Sequence, residues 1–285
     1  MNKMEYKFFH ILLLISVCTF SSCKGQETYG ENYLQLTKSI SLPGIKGRID
    51  HLDINLKEQI VYIAALGSNA VEVVDLKSAK AVHTITGLDE PQGICYIPQH
   101  NEIFVANGGN GDCYFFNAGT YEKVATLSLR SDADNVRYDS ADKKIYVGYG
   151  SGGIAIISAD THKQSGDVKL PAHPEGIEID KKNNLLFVNV PGKEMVGVVD
   201  LKQLKLINNL TKNYRLGNFP VALDATGNRI FIGYRHPGKL VVIDAKSGSM
   251  LSVSELTNDS DNLFYDATSK RVYVSCGGGY SRLGI

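Results

Sequence analysis

The stretch "KKIYVGYGSGGIAIIS" (residues 143–158) contains the pattern that repeats through this chain. It holds an apolar triplet, a Gly-rich turn and a second apolar run. Short runs of β-branched and aromatic residues between Gly-rich turns predict short β-strands. The triplet recurs six times, in steps of 41 to 44 residues: "VYI" (61–63), "IFV" (103–105), "IYV" (145–147), "LFV" (186–188), "IFI" (230–232) and "VYV" (272–274).

Each repeat has room for four short strands. An alternating segment such as "GICYIP" (93–98) precedes the triplet, a third run such as "MVGVVDL" (195–201) follows it, and a variable segment such as "KAVHTITGL" (80–88) closes the unit. Four strands in roughly 40 to 45 residues are typical of a β-propeller blade. The sequence therefore predicts an all-β fold, a propeller of four-stranded blades with six repeats visible and the last one incomplete.

The two ends of the repeat array differ from its middle. The segment "LQLTKSISLPG" (34–44) matches the fourth-strand position, and the sixth repeat stops at "GGGYSRLGI" (277–285). An N-terminal outer strand often closes a propeller by pairing with the last blade, which removes exposed sheet edges. We therefore expect residues 34–44 to form such a strand.

Five motifs resemble the YncE-like, YVTN-repeat β-propeller family. They are "GRIDHLDI" (47–54), "PQGICYIP" (91–98), "DADNVRYD" (132–139), "HPEGIEID" (173–180) and "DSDNLFYDATSKRVYVSCGGGY" (259–280). The resemblance covers nearly all of residues 34–280. Members of that family usually carry seven blades, so it implies either a propeller truncated at its C-terminus or a six-bladed one. We expect the truncated form.

The N-terminus has the features of an export signal. Lys3 and Lys7 precede "FFHILLLISVCTF" (8–20), an apolar stretch that is short for a permanent membrane helix and fits the core of a signal peptide.

The next residues, "FSSC" (20–23), resemble a bacterial lipoprotein box. The resemblance implies a signal peptide at 1–22, a lipidated Cys23 and a polar tether at 23–33, followed by the propeller domain at 34–285. The alternative is simple secretion with cleavage nearby.

Charged residues indicate where the protein is located and which partners it binds. Lys24 stands where inner-membrane lipoproteins carry Asp, so we expect attachment to the bacterial outer membrane, facing the periplasm or the cell surface, with the lipid as the sole membrane contact. The chain has 30 Lys and Arg against 30 Asp and Glu. Because phosphate binding needs an excess of basic residues, this balance argues against a nucleic-acid partner. We expect a monomer.

The regular repeat identifies equivalent positions at the start of each blade, where a propeller chain reaches one mouth of the central channel. The residue ten positions before each triplet forms one column: His51, Gly93, Asn135, Gly176, Pro220 and Asn262. The residue directly before it forms a second column: Asp50, Gln92, Asp134, Glu175, Phe219 and Asp261. We expect both columns to form rings at the channel mouth.

These rings and their neighbours supply the candidate site. The candidate ligand-binding residues are Arg48, Asp50, His51, Gln92, Asp134, Asn135, Arg137, His173, Glu175, Asp261 and Asn262. The candidate metal ligands are Asp134, Glu175 and Asp261. An oxygen-rich ring suits Ca²⁺ or Mg²⁺, whereas imidazoles beside it admit a transition metal.

A purely structural role is the alternative for each acidic residue. Asp and Asn before a strand cap turns by accepting hydrogen bonds from nearby backbone amides, or they tie one blade to the next. Turn-capping alone would not need Arg48, His51 and His173 at the same level.

Two functions fit this pattern. The first is a propeller that binds a small molecule, a metal ion or a protein partner at the channel mouth, without catalysis. The second is a metal-assisted hydrolase or lyase that uses the carboxylate and histidine ring. The fold hosts both kinds of protein. Because no hydrolase motif such as a serine elbow or HExxH occurs in the sequence, we expect binding.

Overall fold

The structure is a computed structural model that describes residues 36–210 and 217–277. The chain divides into two compact units, Met1–Ser39 and Ile40–Ile285. All described strands belong to the second unit.

The predicted signal peptide (1–22), the lipidation site at Cys23 and the tether (23–33) lie outside the described residues. Across the described part of the chain, no helix combines the length and the hydrophobicity that crossing a bilayer requires.

Six antiparallel sheets follow one another along the described chain, five with four strands and the sixth with two. The first contains β1 (Leu52–Asn55), β2 (Ile60–Ala65), β3 (Ala70–Asp75) and β4 (Lys80–Ile85). The second contains β5 (Pro91–Ile97), β6 (Glu102–Asn107), β7 (Asp112–Asn117) and β8 (Lys123–Ser128). The third contains β9 (Ala133–Asp139), β10 (Lys144–Tyr149), β11 (Gly153–Ser158) and β12 (Lys163–Lys169).

The remaining sheets continue the same order. The fourth contains β13 (Ile177–Asp180), β14 (Leu185–Val190), β15 (Met195–Asp200) and β16 (Lys205–Asn209). The fifth contains β17 (Asn218–Asp224), β18 (Arg229–Tyr234), β19 (Lys239–Asp244) and β20 (Met250–Glu255). The sixth contains β21 (Ser260–Asp266) and β22 (Arg271–Cys276). Two short 3-10 turns, Leu66–Ser68 and Pro191–Lys193, are the helical elements of the described residues.

The predicted fold is confirmed: this is an all-β protein, a β-propeller whose sheets are its blades. Every apolar triplet lies on the second strand of its sheet, as the 42-residue spacing of most repeats predicted. In the third blade, for example, Tyr146 pairs with Arg137 on one side and with Ile156 on the other. A strand with neighbours on both sides is buried, which explains the β-branched and aromatic residues at these positions.

The hydrophobic core lies between consecutive blades. Five clusters of buried residues occur in the described chain, and each combines side chains of two neighbouring blades. Phe104 and Phe115 of the second blade, with ring centroids 5.0 Å apart, pack in one cluster with Ile145 of the third. The blades therefore stabilise one another face to face, as stacked sheets do.

Turn-capping Asp and Asn side chains occur at the end of the first strand of a blade. The side-chain oxygen Oδ1 of Asp139 accepts a hydrogen bond from the amide of Ala141 at 2.9 Å. The same arrangement recurs at Asn55, Asp180, Asp224 and Asp266. The turn-capping role that the sequence left open for the blade-start residues is thus carried by a different column.

The prediction of an N-terminal outer strand is wrong over residues 36–44, because these residues form no strand. In the described chain the sixth blade has two strands, β21 and β22. A fourth-position strand pairs with the third strand of its blade, and no third strand of that blade lies in the described residues. The partner that residues 36–44 would need is therefore missing from this part of the structure.

The first strands of consecutive blades contact each other from β1 through to β21. The ends of this series also meet through side chains. Nδ2 of Asn262, on β21, lies 3.1 Å from Nδ1 of His51, just before β1. The first strands therefore bring the starts of several blades to one place.

Candidate functional site

A pocket lies where the blades begin, and we call it the mouth pocket. It is lined by Arg48, Asp50, His51, Asp134, Asn135, Glu175, Gly176, Phe219, Arg235 and Asp261. These residues come from the first, third, fourth, fifth and sixth blades. Seven of the eleven candidate ligand-binding residues are among them, so these side chains come together at the start of the blades.

Asp134 occupies the centre of the side-chain cluster. Its Oδ1 lies 3.6 Å from Nε2 of His51, and its Oδ2 lies 3.9 Å from Nε2 of His173. Each carboxylate oxygen therefore faces a different imidazole. The side-chain amide of Gln92, with its nitrogen assigned toward Asp134, lies 3.2 Å from both oxygens.

Asp50 lies on the other side of His51. Its Oδ1 is 3.7 Å from Nε2 of His51, and its Oδ2 is 3.0 Å from Nη2 of Arg48. That Oδ2 is buried and makes no hydrogen bond, because the guanidinium of Arg48 is close to it but is not oriented to donate. Asp50 thus has a charge partner but keeps an unsatisfied oxygen.

The ring of His51 is held from two sides. Nδ2 of Asn135 lies 3.2 Å from its Nε2, and Nδ2 of Asn262 lies 3.1 Å from its Nδ1. Arg137 donates from Nη1 to Oδ1 of Asn135 at 3.2 Å, which turns the amide nitrogen of Asn135 toward the ring. These contacts orient His51 so that Nε2 faces the carboxylates.

The ring of His173 is oriented by the backbone. Its Nδ1 lies 2.6 Å from the carbonyl oxygen of Gly150, a contact in which the ring N–H donates. In the neutral ring this tautomer leaves a lone pair on Nε2, which is the nitrogen that faces Asp134. Backbone hydrogen bonding of one ring nitrogen is the usual way in which proteins prepare the other for a ligand.

The charges of the cluster shift its pKa values. Burial alone would raise the pKa of Asp134, but the nearby imidazoles of His173 and His51 lower it well below its usual range. The nearby carboxylate of Asp134 raises the pKa of His173 to about 9. Burial and the nearby charge of Asp134 raise the pKa of Glu175 to about 7. Glu175 therefore titrates close to neutral pH, beside a carboxylate that stays ionised.

Asp261 is paired with an arginine. Its carboxylate pairs with the guanidinium of Arg235, which also lies 3.7 Å above the ring of Phe219. The repeat spacing did not predict Arg235. It follows the fifth triplet at a turn position that the other repeats fill with Leu66, Gly108, Gly150, Pro191 and Gly277. A single cation in a column of mostly glycine is the signal that could have identified it.

Arg137 points away from the mouth pocket. Its Nε lies 3.3 Å from Oε1 of Glu178, which belongs to the next blade. Arg137 reaches the mouth indirectly, through its hydrogen bond to Asn135. The structure therefore places Arg137 as a support for the site, and Glu178 as a partner that the sequence did not single out.

Two sets of possible metal ligands overlap at Asp134. One consists of Asp50, His51 and Asp134, and the other of Asp134, His173 and Glu175. Within each set the donor atoms lie within 4.8 Å of one another. Of the three predicted metal ligands, Asp134 and Glu175 come together, whereas Asp261 belongs to neither set.

The blade-start carboxylates do not behave as turn caps. Within the described residues, the carboxylates of Asp50, Asp134 and Glu175 accept no hydrogen bond from a backbone amide. Direct hydrogen bonds also tie neighbouring blades: Nδ2 of Asn189 donates to the carbonyl oxygens of Phe219 and Pro220 at 3.0 and 3.1 Å. Turn-capping thus describes other residues better than these three, whereas Asp134 does link blades through its contacts with His51 and His173.

Fold and site together define a β-propeller whose mouth pocket is lined by carboxylates, arginines and His51, with His173 beside Asp134. A comparison of the chain with models of known protein families finds no match. Membership of the YncE-like family stays a prediction from the sequence motifs.

Proposed function

We propose that the protein is an exported, lipid-anchored β-propeller that binds a divalent cation in the mouth pocket. The observation that supports this most directly is the convergence of Asp50, Asp134 and Glu175 on two imidazoles, without backbone amides to satisfy the carboxylates. Taking carboxylates out of water costs several kcal/mol each unless a partner compensates. Asp134 belongs to both donor sets, so a cation bound in either set would compensate two of the three carboxylates.

The lining of the pocket favours an ion over an organic molecule. Pockets for organic ligands are lined mainly by apolar and aromatic side chains, with a few polar groups. Here the lining is polar and charged, and its one aromatic ring, Phe219, is covered by the guanidinium of Arg235. Oxygen and imidazole nitrogen donors, by contrast, are common ligands of divalent cations.

Metal analysis of the purified full chain tests this function. We expect the wild type to carry a divalent metal at a fixed stoichiometry and Asp134→Asn to lose it. Asp180→Asn is the matched control, because Asp180 caps a turn in the fourth blade and lies outside both donor sets. Metal-free wild type after incubation with Zn²⁺ and Mn²⁺, or equal metal in Asp134→Asn, would contradict the proposal.

A second candidate function is metal-assisted hydrolysis or elimination. It is favoured by the second donor set, in which Glu175 lies beside Asp134 and His173, because a carboxylate next to a metal site suits a general base. Glu175→Gln should then remove turnover of p-nitrophenyl phosphate or acetate by the metal-loaded chain. No turnover by the wild type would leave binding as the function.

The remaining parts of the proposal come from the sequence. Repeated four-stranded sheets support, at the level of fold, the resemblance to the YncE-like family. The apolar N-terminal stretch and Cys23 support export and lipid attachment in the outer membrane. A balanced charge supports a protein that does not bind nucleic acid, and we propose a monomer. A protein partner seated on the mouth pocket is compatible with a bound cation.

A further inference from the structure

The two donor sets of the mouth pocket share one residue, and they share it in a particular way. Oδ1 of Asp134 faces His51, whereas Oδ2 faces His173. The two imidazoles therefore do not compete for one oxygen. A carboxylate with its two oxygens directed at separate donor sets has the arrangement of a ligand between two ions.

We propose that Asp134 bridges two divalent cations, one held with Asp50 and His51 and the other with His173 and Glu175; this rests on the proposed function. Each ion would have three protein ligands and open positions for water or an anion. Two-metal centres in proteins hold their ions about 3.5 to 4 Å apart, a distance that a carboxylate can span with its two oxygens.

The donor separations fit cations of ordinary size. Two ligands about 2.1 Å from a tetrahedral ion lie roughly 3.4 Å apart. Nε2 of His51 lies 3.6 Å from Oδ1 of Asp134 and 3.7 Å from Oδ1 of Asp50. Such separations are longer than a hydrogen bond. The donor atoms would have to move a few tenths of an ångström closer together to bind an ion. A cation at Nε2 would replace the present contact of that nitrogen with Asn135.

The contacts that the imidazoles make outside the cluster bear on the assignment of Nε2 as a metal ligand. Nδ1 of His173 donates to the carbonyl of Gly150, and Nδ1 of His51 contacts the side-chain amide of Asn262. Both rings thus use Nδ1 outside the cluster and turn Nε2 inward. For His173 this is the outer hydrogen-bonding pattern of metal-binding histidines, whereas Nδ1 of His51 faces the amide nitrogen of Asn262, which donates.

An independent observation comes from Asp50. Its side chain is 3% exposed, and its Oδ2 has no hydrogen bond. A buried carboxylate oxygen left without one is costly, and it marks a place where a further partner would be stabilising. Oδ2 faces Arg48 at 3.0 Å, while Oδ1 of the same carboxylate faces Nε2 of His51, so Asp50 contributes to the first donor set through Oδ1.

The imidazole nitrogen in each donor set also limits which cations the set would prefer. An all-oxygen site suits Ca²⁺ or Mg²⁺, whereas a site with one imidazole among carboxylates suits Zn²⁺ or Mn²⁺. We therefore expect the pair of sites to prefer the transition ions over Ca²⁺.

Electron paramagnetic resonance of the Mn²⁺-loaded full chain tests the bridge, because two Mn²⁺ ions on one carboxylate give a spin-coupled spectrum. We expect two coupled ions per wild-type chain, retained when Ca²⁺ is present in equal amount. His173→Gln and Asp50→Asn should each retain one uncoupled ion. Circular dichroism of the two variants shows whether they fold. Each variant removes a ligand of a different ion, so the test remains valid if one of the two variants does not fold.

Other outcomes separate the bridge from the proposed function. One ion per wild-type chain, or two uncoupled ions, would overturn the bridge and leave cation binding standing. Displacement by equal Ca²⁺ would overturn the preference for transition ions. No bound Mn²⁺ or Zn²⁺ would overturn both proposals together.

Discussion

The carboxylate of Asp134 lies 3.6 Å from Nε2 of His51, although the two residues belong to the third and first blades. The contact crosses the mouth pocket and links strands that share no sheet. His173 of the fourth blade approaches the same carboxylate. Asp134 therefore joins three blades at one point, and its removal affects both the fold and the site.

Asp134→Ala should destabilise the chelator-treated protein by about 3 to 5 kcal/mol, because it leaves two imidazoles without their shared buried partner. Urea unfolding followed by circular dichroism measures the change. Asp180→Ala is the comparison, since it removes a carboxylate that caps a turn, a loss of about 1 kcal/mol. Equal losses in the two variants would show that Asp134 acts as another turn cap.

Glu175→Gln should make the metal-free protein more stable at about pH 8.5 and leave it nearly unchanged at about pH 4. The pKa of Glu175 is raised from 4.5 to about 7, so the folded state favours the protonated side chain. The stability that this group contributes is fully present below 4.5 and is lost as the pH rises through about 7. Glutamine resembles the protonated form at every pH.

The measurement for Glu175→Gln is the free energy of unfolding across that pH range. A difference between variant and wild type that stays constant with pH would contradict the raised pKa.

Phe104→Ala should cost about 3 to 5 kcal/mol, because Phe104 is fully buried between the second and third blades. Phe264→Ala is the matched control, since Phe264 is 55% exposed. Chemical denaturation compares the two. A small loss for Phe104→Ala would mean that the two blades do not pack as described.

Labelled palmitate should enter the wild-type chain in bacteria and not Cys23→Ala, because the residues before Cys23 resemble a lipoprotein box. Fractionation of the membranes locates the labelled protein. Equal labelling of both chains would contradict lipid attachment at this residue, and unlabelled, secreted protein would favour simple cleavage.

The sequence predicted the backbone of this protein better than its side-chain contacts. The six triplets identified every second strand, since a strand with two neighbours must be apolar on both faces. Equal spacing also placed Asp50, Asp134 and Glu175 at equivalent positions, and all three line the mouth pocket. Repeat length determines where a backbone position lies, which is why these predictions succeeded.

Side-chain pairing depends on single residues that differ between the repeats, so the repeat pattern does not predict it. Asp261 has the same position in its blade as Asp134, but Arg235 from a neighbouring turn binds it. Arg137 lies two residues beyond Asn135 on β9 and pairs with Glu178 below the mouth. Register shifts near the start of β5, β17 and β21 further change which way each side chain points. Spacing alone does not contain this information.

Calorimetric titration of Zn²⁺ into the metal-stripped full chain tests the central claim most directly. We predict saturable binding with a fixed stoichiometry for the wild type and for Asp180→Asn, and its loss in Asp134→Asn. The absence of saturable binding in the wild type, or unchanged binding in Asp134→Asn, would contradict a cation site built on Asp134.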